Sequence, residues 1–251
     1  LTGRIQIFDQ HGEYIKKFRT PAIKQGKPTG LSFSHDNKLF VADTHYYRVL
    51  CYSKDGKLLF KFGKYGTKAK QFVYVTDVAV DKEGNIFVAQ YGDALGKYDR
   101  IQKFDKEGNF ILAWGKRGRG NGQFDRPMSL TIESTGNILV ADACNHRVQR
   151  FTNNGKFINT FGLPGSGPGQ LSYPYGIDTD SNGFIYISEF GNNRIQKFDK
   201  NGKSLGFFGI PGKRKGMFAN PWDIAVADNG RIYVADALNH RIQAFACEIF
   251  E

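Results

Sequence analysis

The sequence predicts an all-β protein built from repeated four-stranded sheets, and two observations support this. An arginine recurs along the 251 residues at intervals of 44 to 52 residues, a period typical of repeat architectures. Each period also holds four short runs of Ile, Val, Tyr and Phe bounded by Gly, Asn or Asp, which predicts strands joined by tight turns. No segment shows the sustained periodicity of a helix. The recurring arginines are Arg4, Arg48, Arg100, Arg147, Arg194 and Arg241.

The best-formed repeat covers residues 174–208. Asn182-Gly183 and Asn201-Gly202 mark its two hairpin turns, because Asn and Gly tolerate the positive φ that such turns need. Four-stranded units of this length, arranged around an axis, form a β-propeller. We label the strands of each blade a to d, and in this repeat they are predicted near residues 176–179, 184–188, 194–198 and 204–208.

The strand pattern predicts six blades with three strands missing. Residues 4–18 supply only strands c and d, and residues 221–245 supply only strands a, b and c. Because open sheet edges are avoided, we expect an upstream segment of roughly 30 residues to close the ring by adding strand d to the last blade. The alternative is a five-bladed ring, in which strand 14–18 pairs with 221–245 and strand 4–8 is surplus.

We expect one propeller domain over residues 1–251, a length that suffices for a single domain. The sequence has no apolar run long enough for a transmembrane helix. The predicted blades are residues 1–27 (partial), 28–72, 73–124, 125–171, 172–218 and 219–251 (partial).

The three cysteines, Cys51, Cys144 and Cys247, predict neither a disulfide framework nor a zinc site. Their number is odd, they fall in different blades, and no Cys-x-x-Cys pair occurs. We therefore predict no metal and no cofactor.

Segments 140–151, 193–198 and 234–245 resemble the NHL repeat, a β-propeller repeat named for its Asn-His-Leu-type signature. The Gly-Gln-Phe/Leu triplets at 122–124 and 169–171, each followed by a proline, also fit. The resemblance covers most of the chain and implies six blades, although the family's diverse functions leave the function open. The repeats are similar to bacterial NHL proteins, many of them exported, and to the NHL domain of TRIM-NHL proteins. This favours a periplasmic or cell-surface location, with the cytoplasm as the alternative.

Four of the repeat arginines follow an acidic residue by five positions. Such a guanidinium–carboxylate pair, on strands b and c, would fix the geometry of the hairpin. We therefore interpret the pairs as structural, and also His146 and His240, which directly precede the arginine. The pairs are Asp43–Arg48, Asp142–Arg147, Glu189–Arg194 and Asp236–Arg241.

The net charge of +11 is concentrated in the segments between blades. In a propeller the d–a and b–c loops share one face, whereas the a–b turns, which are net acidic here, lie on the other. Clustered cations of this kind are the electrostatic footprint of a polyanion-binding surface. The predicted partner-binding residues are Lys64, Lys68, Lys70, Lys116, Arg117, Arg119, Arg126, Lys213, Arg214 and Lys215.

These cations predict an anionic macromolecule as the partner, either an acidic protein or an envelope polymer. Nucleic acid is the alternative, because aromatic residues beside the cations could stack bases. The resemblance also implies it, since some TRIM-NHL proteins bind RNA on the corresponding face.

One repeat is irregular. From Gln90 to Arg100 the spacing is ten residues instead of five, and Gln90 replaces the usual acid. We interpret the insertion as a partner-contacting loop, with neutral loop drift as the alternative. Its candidate contact residues are Tyr91, Asp93, Lys97 and Tyr98.

An enzyme is the alternative from another class. Asp77 and Asp223 lie at the start of strand a of their blades, near the predicted axis, and form a possible axial ligand site. Propeller lyases and lactonase-like hydrolases hold an axial metal in such a place. Residues 143–147 faintly resemble peptidyl-amidoglycolate lyases, but no set of zinc-binding histidines accompanies them. With no catalytic constellation in the sequence, we predict a non-catalytic binding or scaffold module.

Overall fold

The computed structural model describes residues 3–22, 26–92 and 98–250. The chain forms two compact units, residues 1–113 and 114–251. Both are built from antiparallel sheets, and within the described ranges no helix is long and apolar enough to cross a bilayer. The short 3₁₀ turns are Thr44–Tyr46, Ala143–Asn145, Ala237–Asn239 and Cys247–Phe250.

Unit 1 contains a hairpin followed by two four-stranded blades, whose strands pair in chain order. The hairpin consists of β1 (Arg4–Phe8) and β2 (Tyr14–Arg19). The first blade consists of β3 (Pro28–Phe33), β4 (Leu39–Asp43), β5 (Arg48–Tyr52) and β6 (Leu58–Phe62). The second consists of β7 (Tyr74–Val80), β8 (Ile86–Tyr91), β9 (Arg100–Phe104) and β10 (Phe110–Trp114).

Unit 2 contains two four-stranded blades and one three-stranded blade. The first consists of β11 (Pro127–Ile132), β12 (Ile138–Asp142), β13 (Arg147–Phe151) and β14 (Phe157–Phe161). Short parallel pairs precede the other two: β15 (Leu163–Pro164) with β16 (Gln170–Leu171), and β21 (Ile210–Pro211) with β22 (Met217–Phe218). The second blade consists of β17 (Pro174–Thr179), β18 (Ile185–Glu189), β19 (Arg194–Phe198) and β20 (Ser204–Phe208). The third consists of β23 (Pro221–Val226), β24 (Arg231–Asp236) and β25 (Arg241–Ala246).

The core of unit 2 lies between its blades. Every residue of β12 and β18 is buried, because a blade covered on both faces buries both sides of its inner strands. The outer strands β14 and β20 alternate between exposed and half-buried residues, as expected for an edge. The first strands β11, β17 and β23 lie side by side in that order. The inter-blade loops that precede these strands therefore follow one another in the same order along one edge of the unit.

The predicted all-β class and the four-stranded antiparallel blades are confirmed, but the predicted count of six blades is wrong. The structure has five blades, because residues 4–19 form only a two-stranded hairpin and no strands a and b for that slot occur among the described residues. The pairing in the five-bladed alternative also differs, since Phe18 of β2 pairs with Ile5 of β1, so that strand 4–8 is not surplus. The upstream closing segment stays a prediction.

The predicted Asn-Gly turn at Asn201-Gly202 joins strands c and d of the middle blade of unit 2. Gly202 adopts a φ of +87°, in the left-handed region that favours glycine. The Asp199 carboxylate accepts hydrogen bonds from the N–H groups of Asn201 and Lys203, at 2.9 and 2.8 Å. Asp199, four residues before Lys203, and Gly202 therefore fix the geometry of this turn together.

Candidate binding face

The repeat arginine connects its blade to the preceding inter-blade loop. Arg147 Nε donates to Asp142 Oδ2 at 2.8 Å, across the turn between β12 and β13. Its Nη2 donates to the carbonyls of Gly120 and Gln123, at 2.8 and 2.9 Å. One guanidinium thus holds the b–c turn and the loop before the blade on the same side of the sheet.

The same arrangement recurs in the other blades of unit 2. Arg194 Nε donates to Glu189 at 2.6 Å and its Nη2 to the Gln170 carbonyl at 3.0 Å. Arg241 Nε donates to Asp236 at 2.8 Å and its Nη2 to the carbonyl of Arg214 at 2.7 Å. Both carboxylates are fully buried, whereas the arginine side chains differ, with Arg194 5% and Arg241 31% exposed.

A glutamine two residues after the arginine completes the network, and the sequence interpretation missed it. Gln149 Nε2 donates to the Gln123 carbonyl at 2.7 Å and to Asp142 at 3.0 Å, while its Oε1 accepts from the N–H of Gly122 at 2.9 Å. Gln196 and Gln243 repeat these contacts. The Arg-Ile/Val-Gln triplet was the available signal, because the glutamine recurs with the arginine.

Burial and hydrogen bonding act in opposite directions on the acids of this network. Burial raises the pKa of Asp142 and of Glu189 above their usual values, although each accepts several hydrogen bonds. At Asp236, burial also acts to raise the pKa, but the hydrogen bonds that the carboxylate accepts from the N–H of Ala219, from Asn239 and from Arg241 outweigh it. The pKa of Asp236 is therefore lowered from its usual value.

In unit 2 we call the side that carries the inter-blade loops and the b–c turns the loop face. It is formed by loops 115–126, 162–173 and 209–220 and by turns 143–146, 190–193 and 237–240. The contacts of Arg147, Arg194 and Arg241 place all three loops on this side. The outer loops carry the cations and the middle loop carries none. The exposed cations in the inter-blade loops of unit 2 are Lys116, Arg117, Arg119, Arg126, Lys213, Arg214 and Lys215.

The loop cations differ in their contacts. Arg117 lies 3.8 Å from Asp125, which partly offsets its charge. Arg126 adopts a φ of +55°, and its carbonyl accepts from the N–H of Ala143 at 3.2 Å. In unit 1, Lys64 and Lys68 are exposed, whereas Lys70 is half-buried with its Nζ 6.0 Å from the Phe62 ring centroid. Lys70 is therefore less available than the others.

The irregular repeat of unit 1 has lost its ion pair. Gln102 Nε2 donates to Gln90 Oε1 at 2.8 Å, and Gln90 Nε2 donates to the Tyr98 carbonyl at 3.1 Å. Arg100 keeps its bonds to the carbonyls of Lys68 and Gln71, but its Nε is buried without a hydrogen-bond partner. Burial lowers the pKa of Arg100.

The candidate contact residues of the insertion are only partly described. Asp93 and Lys97 lie outside the described residues. Tyr91 stacks on Tyr74 with ring centroids 5.0 Å apart, so its ring packs against its own blade.

Each of the two candidate axial aspartates is bonded to a neighbouring backbone N–H group. In unit 1, Asp77 is buried and its Oδ1 accepts from the N–H of Val78 at 2.8 Å. In unit 2, Asp223 Oδ1 accepts from the N–H of Ile224 at 2.9 Å. These contacts belong to separate units. Among the described residues, no group of three His, Cys, Asp or Glu side chains is arranged to hold a metal ion.

An aromatic cluster lies on the loop face of unit 2. Tyr175 and Phe190 stack with ring centroids 4.5 Å apart and planes 25° from parallel. Trp222 meets both rings edge-to-face, at 5.1 and 6.0 Å. The sequence predicted aromatic residues beside the cations, and Tyr175 and Trp222 are two of them. Phe190 was missed. The antiparallel pairing of β17 with β18 brings it to Tyr175, and the contact of β17 with β23 of the neighbouring blade brings Trp222 to both.

The antiparallel four-stranded blades, the recurring network and the loop face define a repeat protein of the β-propeller class. The sequence model of the NHL repeat matches residues 124–151, 171–198 and 218–245, one match for each blade of unit 2. Residues 124–245 therefore carry three NHL repeats, and the chain is similar to proteins of the NHL-repeat β-propeller family.

The chain is similar to proteins of different kinds. It is 28% identical to Protein brain tumor of Drosophila melanogaster over 141 residues, which is 55% of this chain and 13% of that protein. It is 37% identical to peptidyl-glycine alpha-amidating monooxygenase A of Xenopus laevis over 131 residues, 48% of this chain and 14% of that protein. The chain thus matches a small part of each relative.

Among solved structures, a streptogramin B lyase superposes with a TM-score of 0.68 at 20% identity, covering 98% of this chain and 76% of the lyase. At this identity the likeness concerns the fold alone. Fold and relatives together support a binding or scaffold module in general terms, and they leave catalysis open.

Proposed function

We propose that this chain is a non-catalytic binding module whose inter-blade loops hold an anionic macromolecule. The single observation that carries the proposal is that hydrogen bonds fix the backbone of the cationic loops while their charged side chains stay exposed. The backbone carbonyl of Arg214 is bonded to Arg241, while the side chains of Lys213, Arg214 and Lys215 are exposed. The loop backbone is fixed and its charges face solvent.

Fixing a loop before binding reduces the conformational entropy lost on association. The loop 115–126 has the same design, because Arg147 and Gln149 hold its carbonyls and leave Lys116 and Arg119 exposed. Exposed cations favour association with polyanions, and the binding weakens with salt. An acidic protein is the partner we favour, with an envelope polymer or nucleic acid as alternatives.

The test is a loop variant with glutamate at six positions, measured against polyglutamate, heparin and a single-stranded oligoribonucleotide. We expect wild-type protein to bind at least one polyanion and the variant to lose most of that affinity. The control variant Lys156→Glu, Lys200→Glu and Lys203→Glu changes exposed lysines of the c–d turns, at the opposite end of the blades. Equal affinity of wild type and loop variant would overturn the proposal. The six substituted residues are Lys116, Arg117, Arg119, Lys213, Arg214 and Lys215.

An enzyme is the second candidate, favoured by the similarity to the amidating monooxygenase over 131 residues. Its chemistry would involve a ligand or metal near Asp77 or near Asp223. Elemental analysis of the purified protein tests this candidate. A stoichiometric metal that is lost in Asp77→Asn or Asp223→Asn would support it, and a metal-free protein of full binding activity would contradict it.

A further inference from the structure

The aromatic cluster of Tyr175, Phe190 and Trp222 is not a requirement of the fold. Phe190 follows the buried acid of its blade, a position held by Ala143 and Ala237 in the other blades of unit 2. Those blades keep the same arginine network with a small residue there. Packing of the blade therefore does not explain a large aromatic side chain at this position.

The cluster lies at the centre of the loop face. The N–H of Phe190 donates to the Tyr173 carbonyl at 3.0 Å, which places the cluster next to the middle loop. That loop has no Lys, Arg, Asp or Glu and exposes Leu163 and Tyr173, with 67% and 40% of their surfaces accessible. Ile210, 58% accessible, begins the next loop. Leu163, Tyr173 and Ile210 thus add exposed apolar surface to the loop face, on which the three half-buried rings of the cluster also lie.

Cations border this apolar area on two sides. Lys213, Arg214 and Lys215 lie three to five residues after Ile210 in the third loop, and Lys116 and Arg119 lie in the first. All five side chains are exposed. An apolar centre with a charged rim is the anatomy of a protein interface, and exposed apolar patches on soluble proteins mark interaction sites.

We propose that the loop face of unit 2 docks an acidic protein segment that inserts one large apolar side chain against Trp222, Phe190 and Tyr175. This inference rests on the proposed function and names its partner. The loop cations would form ion pairs with the partner's carboxylates, and the partner's apolar side chain would be buried against the aromatic cluster. Aromatic anchors seated in apolar patches carry most of the energy of such interfaces.

The ring geometry favours a protein segment over nucleic acid. Bases are held by stacking on open aromatic faces. Here Tyr175 and Phe190 each use one face on the other, and Trp222 meets both at 82°. The three rings therefore form an apolar contact surface, and they do not present a series of parallel ring faces on which bases could stack.

The test uses tryptophan fluorescence in a Trp114→Phe background, so that Trp222 is the remaining tryptophan. The probes are a short Glu/Asp peptide with a central Phe, the same peptide with a central Ser, and a single-stranded oligoribonucleotide. Burying a Phe side chain should make the anchored peptide bind at least about tenfold more tightly than the Ser peptide. We also expect its binding to shift the emission of Trp222.

Two variants and one control test which residues produce the preference for the Phe peptide over the Ser peptide. Trp222→Ala and the exposed Leu163→Ala should reduce the preference for the anchored peptide and leave binding of the Ser peptide unchanged. Leu205→Ala removes another exposed leucine, 44% accessible, from outer strand β20 and should preserve the preference. Because Trp222→Ala removes the fluorophore, these affinities are measured by fluorescence anisotropy of labelled peptides.

The outcomes separate this inference from the proposed function. Equal binding of the two peptides would overturn the apolar anchor and leave the anionic partner standing. Tighter binding of the oligoribonucleotide, with stronger quenching of Trp222, would overturn it in favour of nucleic acid. If neither peptide nor polyanion binds, both the inference and the proposed function fail.

Discussion

Glu189 and Arg194 form the most fully enclosed ion pair of unit 2, with 2.6 Å between Oε1 and Nε and side-chain exposures of 0% and 5%. The same guanidinium donates to the carbonyls of Ser166, Gly167 and Gln170 in the preceding loop. This pair therefore determines both the hairpin geometry of its blade and the position of the loop that precedes it.

Arg194→Lys is expected to lower the free energy of unfolding by about 3 kcal/mol, because lysine cannot reproduce the fork of bonds to Glu189 and the loop carbonyls. Arg241→Lys serves as the comparison, since Arg241 is 31% exposed and its loss should be nearer about 1 kcal/mol. Urea denaturation of both variants measures the difference. Equal losses would show that burial of the pair does not set its contribution.

Gln90→Glu is expected to stabilise unit 1 by about 1 kcal/mol, because it restores a carboxylate beside the buried Nε of Arg100. The isosteric change gives up the bond to the Tyr98 carbonyl. Gln102→Glu is the control and should destabilise, since it removes the donors to Gln90 and Gln71. Thermal unfolding checks both variants, and a lower melting temperature for Gln90→Glu would refute this account of the irregular repeat.

Cys51 should resist alkylation in the native protein. Burial raises the pKa of its thiol to about 11, and the side chain is fully buried. Cys144 and Cys247 are half-buried and should be modified first. Mass spectrometry after iodoacetamide treatment at pH 8, with and without denaturant, measures the order. Labelling of Cys51 at the rate of the other two would contradict the packing of β5.

Asp178 should make stability depend on pH. Burial raises its folded-state pKa above the ordinary 3.8, while its Oδ2 accepts from the N–H of Val226 and its Oδ1 from the Thr131 hydroxyl. Its stabilising contribution is fully present below the unfolded pKa and is lost as the pH rises through the folded one.

Wild-type protein should therefore lose stability relative to Asp178→Asn as the pH rises from about 4 towards neutral. Urea midpoints of both proteins across this range provide the measurement. A stability difference that is independent of pH would show that the carboxyl keeps its ordinary pKa.

The sequence was sufficient for the features that repeat. The spacing from Asp142 to Arg147 predicted the pairing of β12 with β13, because a five-residue step across a hairpin places both residues opposite each other. The role of Gln149 was not predicted, since its partner Gln123 lies 26 residues earlier and meets it only after the blade has folded.

Features that occur once were harder to predict. The blade count was wrong because the hairpin of β1 and β2 was interpreted as half of a sixth blade, whereas no strands a and b accompany it among the described residues. Phe190 resembles any other apolar residue at the end of a strand. Its place beside Trp222 depends on the contact of β17 with β23, which no local pattern encodes.

The dependence of polyanion binding on salt concentration tests the central claim most directly. It is measured for wild type, for the loop variant Lys213→Glu, Arg214→Glu and Lys215→Glu, and for the matched control Lys156→Glu, Lys200→Glu and Lys203→Glu. Wild type and control should bind alike, with affinity falling steeply as salt rises, whereas the loop variant should bind more weakly with a shallower slope. The same affinity and slope in all three proteins would contradict a binding function for the cationic loops.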